Sequence, residues 1–140
     1  MTRIAIRVTV CAAAFALAGC PKTSSNAPPP NTTPISVKAG ELLTEYGSNA
    51  VGADAKYKGK LLRVTGKFGS AQSVPLLGYA VQLLPEEGSE AGLSAVQCII
   101  VDSAKADVAN MQSGQMVTFE GTCDGQAVGQ IKMTRCTVVK

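Results

Sequence analysis

The sequence contains no histidine and no tryptophan, and aromatic residues make up only 4% of its 140 positions. Without histidine, the commonest general base and the commonest transition-metal ligand are both missing. Charge is sparse as well: 16% of residues are Asp, Glu, Lys or Arg, 13 basic against 10 acidic. Arg3 and Arg7 lie in the opening stretch, and without them the balance is 11 to 10. So small an excess gives no footing for electrostatic binding to a polyanion, and nucleic acid is not an expected partner. There is no C-x-x-C pair, so neither a metal nor a cofactor is expected. Gly121-Thr122-Cys123-Asp124-Gly125 lacks the lysine and the following helix of a phosphate-binding loop. Asp102, Asp107, Glu86, Glu87 and Glu90 have no partner base or nucleophile at a readable spacing, so catalysis is not expected.

What the chain does have is an unequal distribution of its 46% hydrophobic residues, many of which crowd the start. Met1 to Gly19 reads as a signal peptide, with Arg3 and Arg7 before an apolar run from Val8 to Ala18. That run is too short for the ~20 apolar residues of a membrane-spanning helix. Its end, Leu17-Ala18-Gly19-Cys20, resembles the bacterial lipobox. The resemblance implies that Cys20 becomes the mature N-terminus, acylated on sulfur and amine and so fixed to a lipid bilayer. Several acyl chains anchor durably where one holds only marginally. Pro21 follows in place of an aspartate retention signal, which favours an outer membrane facing the periplasm. Residues 20–34 are rich in proline (21, 28, 29, 30, 34) and poor in large apolar side chains, as expected of an extended tether.

Residues 35–140 are expected to form one domain. Ala39, Leu42, Leu43 and Tyr46 recur at helical spacing, with Ser36 as the expected N-cap and Gly47-Ser48-Asn49 as the stop. The period then changes to two. Strands are expected at Leu61–Phe68 (bending at Gly66), Gly78–Leu83, Ala95–Val101, Gln115–Cys123 and from Gln130 to Val139. A turn is expected at Asp124-Gly125, and a short helix from Lys105 to Met111 with Ala104, Val108 and Met111 on one face. Three strands, a short helix and two more strands is the order of the five-stranded Greek-key barrel known as the OB-fold. The expected fold is therefore mainly β: that barrel, preceded by an N-terminal helix, with a short helix between strands three and four. An open α+β sheet of the same elements is the alternative.

Within these elements, Ala39-x-Glu41-Leu42-Leu43-x-x-Tyr46-x-x-Asn49 leads into Ala53-Asp54-x-Lys56-Tyr57-Lys58-Gly59-Lys60-x-Leu62-x-Val64-Thr65-Gly66. Gly114-Gln115-x-Val117-Thr118-x-x-Gly121-x-Cys123-x-Gly125 and Ile131-x-Met133-x-x-Cys136 follow. Together they resemble the tRNA_anti-like family of bacterial OB-fold lipoproteins and related secreted proteins. Members often carry Gly-Asn-Val at the start of the last strand, where this chain has Gly129-Gln130-Ile131. The resemblance implies an OB-fold; it does not carry tRNA binding with it.

In an oxidising envelope, Cys98, Cys123 and Cys136 could form one bridge at most. If Cys123 faces Ile131, Cys136 falls opposite about position 118, roughly 16 Å along the strand from Cys123 at ~3.3 Å per residue. That exceeds disulfide reach. The third strand neighbours the fifth in such a barrel, so Cys98–Cys136 is the best-placed pair; no bridge, or one through Cys123, are the alternatives. Lys56, Lys58, Lys60, Arg63 and Lys67 read as a solvated strand face that Glu45 and Asp54 partly offset, with a face for anionic lipid headgroups or a polyanionic ligand as the alternative. Tyr46 and Phe119 fall in core register, leaving Tyr79 as the candidate platform. By analogy with other OB-folds, a ligand would lie over strands two and three and the flanking loops, at Gln72, Tyr79, Asp124, Gly125 and Gln126. The expected function is a lipid-anchored cell-envelope binding or scaffolding module, its partner an envelope protein, glycan or small ligand. An envelope enzyme or enzyme inhibitor, and a purely structural lipoprotein, are the alternatives.

Overall fold

The computed structural model describes residues 33–87 and 95–140. The expected leader, Cys20 and nearly all of the expected tether lie outside the described residues, as does Glu90. The chain enters through β1 (Ile35–Lys38), then runs through α1 (Ala39–Ser48), α2 (Ala50–Tyr57), β2 (Leu61–Val74) and β3 (Gly78–Leu84). It continues with β4 (Val96–Ile100), α3 (Lys105–Ala109), β5 (Met116–Ala127) and β6 (Gln130–Val138). A single 3-10 turn at Asp102–Ala104 leads into α3.

Five strands close on themselves in the order β2, β3, β4, β6, β5 and back to β2. Closure depends on the length of β2. Leu61 to Lys67 pair with β5, and Lys67 to Val74 pair with β3 on the other edge. A fourteen-residue strand serving two neighbours must bend, and the register slips between Phe68 and Ser70. The sequence places that bend at Gly66, but Gly66 pairs regularly with Val117; Gly69 sits at the slip. β4 and β6 run parallel, as the Greek-key order requires. Inward positions along β2 (Leu62, Val64), β3 (Val81, Leu83) and β5 (Val117, Phe119, Cys123) are buried, so the two-residue period maps onto a filled interior.

Three local expectations are corrected. Ser36 does not cap a helix: it pairs with Arg63 in β1, which lies parallel to the first half of β2, and α1 begins at Ala39 with no side-chain cap. The helix is also followed by a second. Asn49 ends α1 and starts α2, its side-chain oxygen accepting from the Gly52 N–H at 3.0 Å. The last hairpin turns at Val128-Gly129, not at Asp124-Gly125, because β5 remains paired as far as Ala127–Gln130. Both turn residues have positive φ (49° and 73°), the pattern of a tight primed turn.

Leu42, Leu43 and Tyr46 bury one face of α1 against the barrel, a gain of ~1.5–3 kcal/mol for each leucine. The Tyr46 hydroxyl lies 3.1 Å from Asp54 Oδ1 and 3.5 Å from Cys123 Sγ. Its proton goes to the carboxylate, so the thiol donates back to the phenolic oxygen. This buried contact joins α1, α2 and β5. Burial, and then the Cys123 contact, hold the Tyr46 hydroxyl well above the ordinary 10.0. Burial likewise pushes the Cys123 thiol above its ordinary 9.0. In the unfolded chain both groups ionise at ordinary values. Above about pH 9 unfolding therefore releases protons that the fold retains, and stability is expected to fall as pH rises, while below that pH it is fully present. Urea midpoints between pH 7 and 10.5 test this; Tyr46→Phe should cost ~1 kcal/mol at pH 7 and flatten the alkaline decline.

The β2–β3 hairpin carries local strain. Leu77 N–H donates to the Val74 carbonyl at 3.1 Å, with Pro75 and Leu76 between them and Leu76 at φ 66°. A leucine occupies the position where such turns favour glycine or asparagine, and it is fully exposed. Leu76→Asn is expected to raise the urea midpoint, equivalent to ~0.5–1 kcal/mol of relieved strain.

Candidate functional site

The two ends of the barrel are closed differently. α1 and α2 cover the end where β5 carries Cys123 and Gly125; a Cβ on Gly125 would lie 2.7 Å from Asp54 Oδ1. At the other end stands α3, only five residues long. It does not fill the mouth, and a cleft of about 510 Å³ remains between it and the strands.

The strand register explains what lines this cleft. Tyr79 pairs with Ile100 across β3 and β4, and Ser73 with Tyr79 across β2 and β3. Tyr79 shares the inward parity of Val81 and Leu83 but lies beyond the filled interior, so its ring faces the mouth while remaining 43% exposed. Phe68, Ile100 and Val108 belong to the core and form the inner wall. Ala71, Ala109 and Met111 complete the apolar surround. The cleft is thus the unfilled end of the barrel core.

One charge stands at its lip. Lys105, the first residue of α3, holds its ammonium 4.9 Å from the Tyr79 ring centroid, within cation–π range. It also reaches Asp102 Oδ1 at 2.8 Å. The hydrogen bond to Asp102 raises the Lys105 pKa, and the same contact lowers that of Asp102. Asp102 is 92% exposed, so the pair is bathed in solvent and contributes little stability.

Of the five residues expected on a ligand surface, only Tyr79 lines the cleft. Gln72 follows Ala71 and so faces the other side of β2, where its side-chain amide lies 3.4 Å from Ser70 Oγ. Asp124 and Gln126 are exposed, but they sit beside Ile131, whose neighbour on β4 is Val96, while Tyr79 neighbours Ile100. Four residues of β4 separate the two groups, about 13 Å at ~3.3 Å per residue. Gly125 is buried beneath α2 and offers no surface. Lys105 was not singled out in the sequence because no periodicity marks a lysine that tops a cleft.

Cys98, Cys123 and Cys136 are buried and unlinked. Cys98 and Cys136 adjoin, and that contact, with burial, raises the Cys136 thiol strongly. Cys136 lies beside the stretch opposite Gly121, not position 118, because the β5–β6 register slips between Glu120 and Thr122 and again between Cys123 and Gly125. The basic run is largely compensated: Lys56 pairs with Glu45 at 2.8 Å, Lys58 with Asp54 at 3.6 Å and Arg63 with Glu120 at 2.8 Å. Among the described residues no group of histidine, cysteine or carboxylate side chains could hold a metal ion. No described helix is long and apolar enough to cross a membrane.

A closed five-strand Greek-key ring with a helix between its third and fourth strands is an OB-fold. The chain belongs to the tRNA_anti-like family, whose model matches residues 2–137. Among solved structures it is similar to a lipoprotein from Klebsiella pneumoniae provisionally described as nucleic acid-binding: 20% identity, TM-score 0.60, covering 71% of this chain and 87% of that one. OBody AM3L09, solved bound to hen egg-white lysozyme, matches at 12% identity and TM-score 0.43, covering 67% of this chain and 92% of its own. The asparaginyl-tRNA synthetase of Entamoeba histolytica matches at 12% identity and TM-score 0.48; 78% of this chain aligns with only 24% of that enzyme. At these identities the likeness is one of fold. No curated protein sequence matches significantly.

Proposed function

We propose that this chain is a lipid-anchored binding module of the bacterial cell envelope, without catalytic activity, whose ligand seat is the cleft under α3. The observation that carries this reading is the cleft itself: core side chains form its floor, and an exposed tyrosine and one ammonium mark its lip. Ligand seats are commonly apolar concavities with a few placed polar groups and volumes of ~300–1,000 Å³. The leader and the lipobox-like Leu17-Ala18-Gly19-Cys20 support acylation at Cys20, and Pro21 supports an outer-membrane address facing the periplasm. The paired lysines of the α2–β2 region favour a partner other than nucleic acid, although the similar Klebsiella lipoprotein is described in those terms. Within this reading, Cys98 and Cys136 give up two electrons and two protons to an envelope disulfide donor and form a bridge. With the Cys20 sulfur acylated, the denatured mature chain would then show one free thiol, that of Cys123.

The test uses a neutral apolar fluorophore, N-phenyl-1-naphthylamine, on the chain from Pro21 onward. The core of the described residues runs from Ile35 to Val138, and this chain keeps every residue of it. One saturable site per chain is expected, and Ala71→Phe, which fills the cleft from an exposed strand position, should abolish it without lowering the urea midpoint. Binding that survives Ala71→Phe would place the seat elsewhere. In cells, labelled palmitate should join the wild-type chain and not Cys20→Ser; labelling of both would remove the proposed anchor.

A further inference from the structure

We infer that the cleft takes an amphiphilic carboxylate, its apolar tail against Phe68, Ile100 and Val108 and its carboxylate on the Lys105 ammonium. This rests on the cleft being the ligand seat and goes further by assigning the class of ligand. Three observations carry it.

The inner wall offers no polar side chain: Phe68, Ile100 and Val108 are members of the core. A polar group pushed inward would lose its hydration without a partner, so the part of the ligand that enters first is apolar. The lip carries the opposite chemistry. Lys105 is the one charged side chain among the lining residues, and its position over the Tyr79 face keeps the ammonium turned toward the mouth. A ligand head emerging there meets positive charge, which selects an anion over a cation of the same shape. Finally, the ammonium is available. Its present partner, Asp102, is almost wholly exposed and only three residues away, so an incoming carboxylate replaces a weak solvent-screened contact with one sheltered on one side by the ring. A cleft of about 510 Å³ suits one such molecule.

Isothermal titration of the chain from Pro21 onward with octanoate, decanoate and dodecanoate, each below its micellar concentration, tests this. One site per chain is expected, with affinity rising about tenfold for each two-carbon step. Dodecanoate should bind at least tenfold more tightly than dodecanol or dodecylammonium. Lys105→Gln should weaken dodecanoate about tenfold and leave dodecanol within twofold, Lys105→Arg should keep the preference, and Asp102→Asn, which removes the competing carboxylate, should tighten dodecanoate a few-fold. If the acid, alcohol and amine bind alike at a site closed by Ala71→Phe, the cleft remains a ligand seat and the carboxylate assignment is overturned. If none of the three binds and the neutral fluorophore also fails, both readings fall.

Discussion

Phe119→Ala is expected to remove about 4 kcal/mol of stability, the largest loss from any single truncation in the barrel. Phe119 is completely buried on β5, pairing with Val64 of β2 on one side and Val138 of β6 on the other. Its ring therefore fills the interior where the strand that closes the barrel meets its two neighbours. Strands tied into a ring cannot collapse inward to heal the void, so the loss should include a cavity contribution beyond the transfer of the ring. Domains of this size commonly have only ~5–15 kcal/mol in hand. Urea denaturation followed by circular dichroism should show a much lower midpoint with an unchanged slope; Phe119→Leu, which keeps most of the volume, should cost about 1 kcal/mol. A loss below ~1 kcal/mol for the alanine variant would mean that the ring is not closed around this side chain.

Gly121→Ala is expected to cost nearly as much, for the opposite reason. A Cβ on Gly121 would lie 2.6 Å from Cys136 Sγ, 2.8 Å from the Thr134 carbonyl oxygen and 3.2 Å from the Cys136 Cα. Two of these three obstacles are backbone, in the stretch of β6 where Arg135 already adopts φ 54°. The added methyl has nowhere to go unless β5 and β6 separate, and a loss of ~3 kcal/mol follows. Gly121→Ala combined with Cys136→Ala removes the sulfur but not the carbonyl, so the pair should recover part of the loss and not all of it. Full recovery would locate the crowding at the thiol alone.

The sequence revealed much of the barrel and little of the site. The alternation at Leu62, Val64, Val81, Leu83, Val117 and Phe119 reports inward and outward faces directly, and five strands with a late short helix leave few possible topologies. β1 escaped because four residues, Ile35 to Lys38, show no readable period; they become a strand only by pairing with Leu62 to Thr65, distant in sequence. α2 escaped because Ala50 to Tyr57 buries only Ala53 and Tyr57, too few apolar positions to trace a face. The two register slips between β5 and β6 moved Cys136 toward Gly121, and nothing in residue type marks a slip of that kind. The cleft was the least legible feature. Ile100 and Val108 have the spacing of ordinary core residues, and what makes them a wall is the early end of α3 at Ala109. Tyr79 stood out because Tyr46 and Phe119 fall in core register, and among the described aromatic residues it is the one that is not buried.

The most direct measurement is methyl NMR of the chain from Pro21 onward, titrated with N-phenyl-1-naphthylamine. Shifts should concentrate on Ile100, Val108 and Met111, leaving the exposed Val51 and Val128 at their free positions. Shifts confined to Val51, Val128 or Leu76, with the cleft methyls unmoved, would contradict a seat beneath α3.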